Sequence, residues 1–228
     1  MKEDIRALTL SLGADVCGFA AIDRFACAPE GFSPSDIDPA CRSVIAFGIA
    51  LPKGLLKISP RLVYNYFTET IMHGAIDQLA LQLAKELERL YSCSVVPMPC
   101  DAPYEYWNAA ISEGRGLISM KHAAVCAGLG TLGKNTMLLN RAFGNRLSIG
   151  AVLTDLPLES DPLAESVCIA SCTKCVDSCP AGAIQNGAVI QKLCRERAYG
   201  QKTAKGYATT ECNTCRAVCP VAFGVKAL

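Results

Sequence analysis

One phrase occurs twice toward the end of this 228-residue chain: Cys172-x2-Cys175-x3-Cys179-Pro180 and, forty residues on, Cys212-x2-Cys215-x3-Cys219-Pro220. One further cysteine precedes each copy, Cys168 and Cys194, so the thiols come as two sets of four. Four thiolates are what a [4Fe-4S] cube requires. Two C-x2-C pairs also suit a four-cysteine zinc ribbon, which is the competing reading. A ribbon would leave Cys168, Cys179, Cys194 and Cys219 without a purpose and does not call for a proline after the third cysteine of each copy.

Where two such cubes share one small module, the cysteine before the proline ligates the cluster of the opposite half. The spacing then predicts a first cluster on Cys168, Cys172, Cys175 and Cys219, and a second on Cys179, Cys194, Cys212 and Cys215. Cys168 departs from the bacterial ferredoxin run, because three residues rather than two separate it from Cys172.

The wider composition narrows the function classes. The chain has fourteen cysteines, a net charge of +1 and Lys and Arg scattered rather than in runs, so no basic footprint for nucleic acid or anionic membrane is expected. "MKEDIRALTLSLG" carries charges within its first six positions and no secretory apolar stretch. No run reaches the roughly 18 apolar residues of a membrane span. The expectation is a cytoplasmic protein, and in a reducing cytosol many cysteines point to metal, cluster or redox chemistry rather than to disulfides.

The elements that must position these thiols can be read from pattern. Ile5, Leu8 and Leu12 at helical spacing, with Gly13 as a stop, predict an opening helix. "VCGFA", "SVIAFGIAL", "CSVVPM" and "RLSIGAVLTD" read as strands. Between Arg61 and Tyr91, the series Ile76, Leu79, Leu83, Leu87, Leu90 predicts a long amphipathic helix, and "SMKHAAVCAG" a second one capped by Ser119 and stopped by Gly128. Residues 156–166, with two prolines, three acidic residues and no periodicity, read as a linker between a domain over 1–155 and a cysteine-bound module over 167–228. The other six cysteines, 17, 27, 41, 93, 100 and 126, show no ligand spacing. Cys17, Cys93 and Cys126 read as small buried hydrophobes, and Cys100 between Pro99 and Asp101 stands apart.

"GLGTLGKN", residues 128–135, satisfies both GxGxxG and GxxxxGK. Neither nucleotide reading survives its context. A dinucleotide fingerprint follows a strand and opens a helix, whereas a helix precedes these glycines; a phosphate loop needs Ser or Thr after the lysine, where this chain has Asn135.

The run "HAAVCAGLGTLGKNTMLLN" resembles instead a stretch of the epoxyqueuosine reductases and their relatives, and the likeness extends to "GADVCGFA", "SVIAFGIALP", the helix around His73, "RLSIGAVLTD" and the eight cysteines in order. This resemblance implies an α/β (α+β) nitroreductase-like N-terminal domain, as in reductive dehalogenases, followed by a ferredoxin-like module with two [4Fe-4S] clusters. It implies a cobalamin between the two, with flavin as the alternative cofactor. Gly128, Gly130 and Gly133 would allow close approach to that cofactor, and Lys134 and Asn135 would donate to it. The family's catalytic acid maps only loosely, onto Asp101 in "CDAP". His73, His122 and the aromatic group Tyr104, Tyr106 and Trp107 are further pocket candidates beside ordinary structural roles.

The function implied is an iron-sulfur oxidoreductase, passing electrons from reduced ferredoxin or a similar donor to a cofactor site and a small-molecule substrate. A ferredoxin-like carrier with no substrate site is the reading from another class. The chain ends nine residues after Cys219, short of the family's helical extension, so tRNA is not expected as a partner.

Overall fold

A computed structural model of the chain describes residues 1–58, 62–199 and 212–225. Its centre is a four-stranded sheet built from β1 (Val16–Ala21), β2 (Ser43–Ala50), β3 (Val95–Met98) and a late strand, β8 (Leu147–Thr154), in the order β1-β2-β8-β3. Every pairing is antiparallel. Between β3 and β8 the chain forms two small ribbons, β4 (Tyr106–Asn108) with β5 (Glu113–Arg115) and β6 (Thr131–Leu132) with β7 (Leu138–Leu139).

Helices cover both faces. The opening helix α1 (Lys2–Ser11) and the short helices α2 (Pro34–Ile37), α3 (Lys53–Lys57) and α4 (Leu62–Asn65) precede a π-helical turn over Tyr66–Ile71, which runs into α5 (Met72–Tyr91). Strand alternation sends Phe19, Ile45, Phe47 and Val152 into one core with α5, which contributes Ile76, Leu79, Leu83 and Leu87. The alternate set, Ala20, Val44, Ala46, Ala151 and Leu153, packs with α6 (Met120–Cys126). Small side chains on that second face let α6 lie close to the sheet. Leu90, read with the apolar stripe of α5, is 49% exposed, because the helix ends one residue later and Ser92 turns away in the left-handed conformation. Arg61, the start expected for that helix, lies outside the described residues.

Beyond β8 the cysteine segment contains α7 (Lys174–Asp177), the ribbon β9 (Ile184–Gln185) with β10 (Ala188–Val189), α8 (Gln191–Tyr199) and α9 (Thr214–Ala217). Among the described residues, no helix is long and apolar enough to cross a membrane.

Residues 156–166, read as a linker, carry no helix or strand, yet their first half is tied down. Leu158 is 2% exposed in the core, and Asp161 exchanges hydrogen bonds with the backbone of Phe19 on β1. Ser160 Oγ accepts from Ala21 N at 2.8 Å. The Asp161 carboxylate also takes Lys2 Nζ at 2.7 Å and Arg6 Nη2 at 2.9 Å. The segment thus occupies the open edge of β1, whose unpaired N–H and C=O groups would otherwise face solvent. Sequence pattern hides this because edge coverage has no periodicity.

Replacing Asp161 with Ala would remove the carboxylate shared by Lys2, Arg6 and the Phe19 amide, leaving Arg6 with Glu3 and the Cys17 carbonyl. We expect a loss of about 2 kcal/mol in equilibrium denaturation, as for a hydrogen-bonded charged group. An unchanged midpoint would show that the edge strap is idle.

Candidate metal centre

The two cysteine phrases fold as the same local structure. In each, the second cysteine sits in a one-turn helix: Cys175 in α7 and Cys215 in α9. The backbone hydrogen bonds repeat position for position. Asp177 N donates to Thr173 O as Ala217 N does to Asn213 O, and Gly182 N donates to Cys179 O as Ala222 N does to Cys219 O. The helix is stopped by the turn at Cys179-Pro180 or Cys219-Pro220, since proline cannot continue it.

These turns exchange thiols between the repeats. Cys168, Cys172 and Cys175 line one small cavity together with Cys219 from the second repeat. Cys219 is electrostatically coupled to these three thiols, after burial, which is the main cause that raises its pKa. The remaining four gather likewise. Burial pushes the Cys215 thiol up to about 11, and Cys194, Cys212 and Cys179 add to the rise.

One backbone donor reaches a sulfur, and two unpartnered donors lie next to cysteines in sequence. Ala183 N donates to Cys179 Sγ at 3.3 Å. Asn213 Nδ2 and Arg216 Nη1, beside Cys212 and Cys215 in sequence, are buried and have no partner among the described residues. Unsatisfied buried donors next to thiols suit an acceptor-rich group carrying sulfide. Among the described residues, no group of three or more His, Cys, Asp or Glu side chains could hold one metal ion.

The glycine-rich stretch is the tip of the β6–β7 ribbon, not the start of a helix. Gly133 N donates to Met137 O, and Thr136 adopts a left-handed φ of 56° at the turn. Its glycines meet protein rather than open space: a Cβ on Gly128 would lie 2.3 Å from Pro162 O, and one on Gly130 2.4 Å from Leu139 O. Its polar side chains are also engaged. Lys134 Nζ donates to the carbonyls of Ala170 and Cys172 at 2.6 and 2.7 Å, and Asn135 Nδ2 to that of Cys215 at 3.0 Å. Both side chains named for a cofactor role thus contact the backbone of the cysteine segment.

Asp101 lies 41% exposed, its Oδ2 4.0 Å from His73 Nδ1, and accepts from the Tyr104 hydroxyl at 3.4 Å. Tyr104 stacks on Trp107 with ring centroids 5.7 Å apart, and Arg195 lies over both rings and donates to the Tyr104 hydroxyl at 3.2 Å. Arg195 follows Cys194 on α8, so this aromatic wall stands beside the second cysteine group. Tyr106 and Trp107 are exposed, Tyr199 from the end of α8 is exposed nearby, and Arg195 and Asp101 both act on its hydroxyl. Lys121, at the start of α6, reaches solvent, yet burial and then the Arg216 charge lower its pKa, with Cys194 and Cys215 opposing. His122 is tied to the α6 cap, its Nδ1 2.8 Å from Ser119 Oγ.

Sequence reasoning missed Arg195, Arg216 and Lys121. The first two each follow a cysteine of the proposed sets directly, which is a usable signal; Lys121 has none, since the Arg216, Cys194 and Cys215 charges that act on it lie far along the chain.

The remaining cysteines differ in access. Cys17 and Cys41 are buried, Cys93, Cys100 and Cys126 half-buried, and Cys27 exposed. Burial and then Asp77 push the Cys100 thiol up, while Asp77 also accepts the Cys100 N–H at 2.9 Å. Brief alkylation of the native protein at pH 8 should label Cys27 and spare Cys17, Cys41 and Cys100, because thiolate fraction and access set reactivity. Labelling of Cys100 as fast as Cys27, read by peptide mass mapping, would contradict this placement.

No protein-family model matches the chain. It is 27% identical over 265 aligned residues to the epoxyqueuosine reductase of Bacillus cereus, covering 96% of this chain and 64% of the relative's length. An epoxyqueuosine reductase crystallised with an epoxyqueuosine-modified tRNA-Tyr stem loop superposes with a TM-score of 0.70 at 22% identity, covering 97% of this chain and 65% of that one. A catabolic reductive dehalogenase superposes with a TM-score of 0.73 at 20% identity, covering 96% of this chain and 32% of that one. The chain thus spans under two thirds of the relative from Bacillus cereus, resembles the epoxyqueuosine reductases in sequence along nearly all of its own length, and shares a mixed α/β fold with them and with the reductive dehalogenases.

Proposed function

We propose that this chain is an iron-sulfur oxidoreductase. A ferredoxin-like module over 167–228 would hold two [4Fe-4S] clusters, the first on Cys168, Cys172, Cys175 and Cys219, the second on Cys179, Cys194, Cys212 and Cys215. The observation that carries this reading is the exchange of Cys219 and Cys179 between the two thiol groups. The unpartnered donors Asn213 Nδ2 and Arg216 Nη1 support it, since both suit an acidic, sulfide-rich neighbour.

Single electrons from reduced ferredoxin or a similar donor would pass through the clusters to a site in the nitroreductase-like part over 1–155. Arg195, the residue after Cys194, lies over the Tyr104 and Trp107 rings, so the surface around that aromatic wall is the proposed destination. A flat aromatic wall flanked by cations suits a planar cofactor carrying polar substituents. A corrinoid bound there would supply a strongly reducing cobalt centre. Trp107 and Tyr104 would pack against its face, Lys121 and Arg195 would take its polar rim, and Asp101, reached by the Tyr104 hydroxyl, would be the proton source.

Anaerobic purification with metal analysis tests the reading directly. Two cubes give roughly eight irons per chain; zinc without iron would overturn the cluster assignment. Cobalt beside the iron would support the corrinoid, and flavin released on heating would replace it. Cys219→Ser should abolish the first cluster's spectrum and leave the second, although the residue belongs to the second repeat; the opposite pattern would defeat the exchanged ligand sets.

The substrate proposal is a small electrophile, argued from a net charge of +1 that offers phosphates no concentrated counter-surface. The tRNA stem loop held by the structural relative sets the alternative. Filter binding of a tRNA stem loop at about 0.15 M salt should show no retention above that of a scrambled oligonucleotide; specific retention would move the substrate class to modified RNA.

A further inference from the structure

Two consecutive side chains at the tip of the β6–β7 ribbon reach the two cysteine groups separately. Lys134 Nζ donates to the Cys172 carbonyl, a member of the first group, and to Ala170 two residues before it. Asn135 Nδ2 donates to the Cys215 carbonyl, a member of the second. Asn135 is 5% exposed, and its Oδ1 accepts from Met137 N at 3.2 Å, which fixes the amide's orientation. The ribbon therefore stands between the repeats with one residue for each.

The two contacts differ in charge. Lys134 lines the first group's cavity beside Leu139, Ile169 and Val221, and among the described residues no carboxylate pairs with it. Two backbone carbonyls fix the Lys134 ammonium beside the first group, so its positive charge stays at a set position there. Adding one electron to a cube adds one negative charge, so a nearby cation favours the reduced form. Asn135 carries no charge; it orients the Cys215 backbone and leaves the local charge alone.

We propose, resting on the two-cluster reading above, that Lys134 and Asn135 are positioning residues for the two clusters, Lys134 raising the reduction potential of the first and Asn135 holding the ligand loop of the second. The glycine-rich ribbon of the N-terminal part thereby sets the difference in potential between two clusters whose own ligand loops are near copies. That difference is what gives a two-centre relay a direction.

Redox titration of the full-length protein, with dithionite as reductant and electron paramagnetic resonance as readout, tests this. The wild type is examined first; absence of clusters there defeats the two-cluster reading itself, separately from the present proposal. Given two clusters, Lys134→Gln, which keeps hydrogen-bond donors and removes the charge, should shift the first cluster's midpoint to a more negative value with iron content unchanged. Lys134→Arg should restore it. Asn135→Leu should lower iron occupancy of the second cluster, or broaden its signal, without moving the first midpoint. In the Cys219→Ser background, where the second cluster alone is expected, adding Lys134→Gln should change nothing. Equal midpoints in the Gln, Arg and wild-type proteins would overturn the role of Lys134; an unaltered second cluster in Asn135→Leu would overturn that of Asn135.

Discussion

Where the N-terminal part meets the cysteine segment, backbone touches backbone. A Cβ on Gly144 would lie 2.2 Å from Val221 O, and one on Gly224 2.3 Å from Ala142 O. Val225 N donates to Arg141 O, and Asn145, fully buried, donates from Nδ2 to Arg216 O at 2.9 Å. Contacts this close leave no room for a side chain and no freedom to slide, so the position of the second repeat is set by residues 141–145 rather than by the repeat itself. The first repeat is held by Lys134 in the same manner. Everything proposed for the metal centre depends on this seam, because thiols from two repeats have to arrive on common centres at the accuracy of a covalent ligand set.

The rest of the fold steadies the seam. The antiparallel sheet delivers β8 directly after residues 141–145, and the eight-residue pairing of β8 with β2 anchors it from Ser43 opposite Thr154 to Ala50 opposite Leu147. A cation on that strand's first turn, Arg146, is buried and donates to the Leu51 carbonyl, tying the strand's entry to the end of β2. On the other side, Asp161 locks the departing chain to β1 and α1 before the first cysteine is reached. The cysteine segment is thus held at its entry, through Asp161, and near Arg216 and Ala222 through Asn145. A two-centre relay profits from such rigidity, since electron transfer depends steeply on distance and a mobile module would vary it.

Much of the fold was legible because burial leaves periodic marks. The strands around Phe19, Phe47 and Val152 and the helix from Met72 to Tyr91 announce themselves by apolar spacing, and the Ser119 cap and Gly128 stop bracket α6 as read. The segment after β8 did not: edge coverage by Ser160 and Asp161 has no period, so an ordered strap looked like a linker. The glycine stretch names no partner for a related reason. Glycine signals close approach without naming what approaches, and here Gly128 and Gly130 make room for Pro162 and Leu139 of the same chain.

What the sequence by itself determined is the local chemistry: two identical cysteine phrases, each with a proline that halts its helix, and an upstream thiol for each. Those are short-range facts, carried by spacing along the backbone. Only the tertiary structure decided that Cys219 lines a cavity with Cys168, Cys172 and Cys175, that Lys134 and Asn135 reach the cysteine segment, and that Arg195 lies over Trp107. Such pairings join residues far apart in the chain, and they are set by packing between surfaces that leave no periodic signature in either partner.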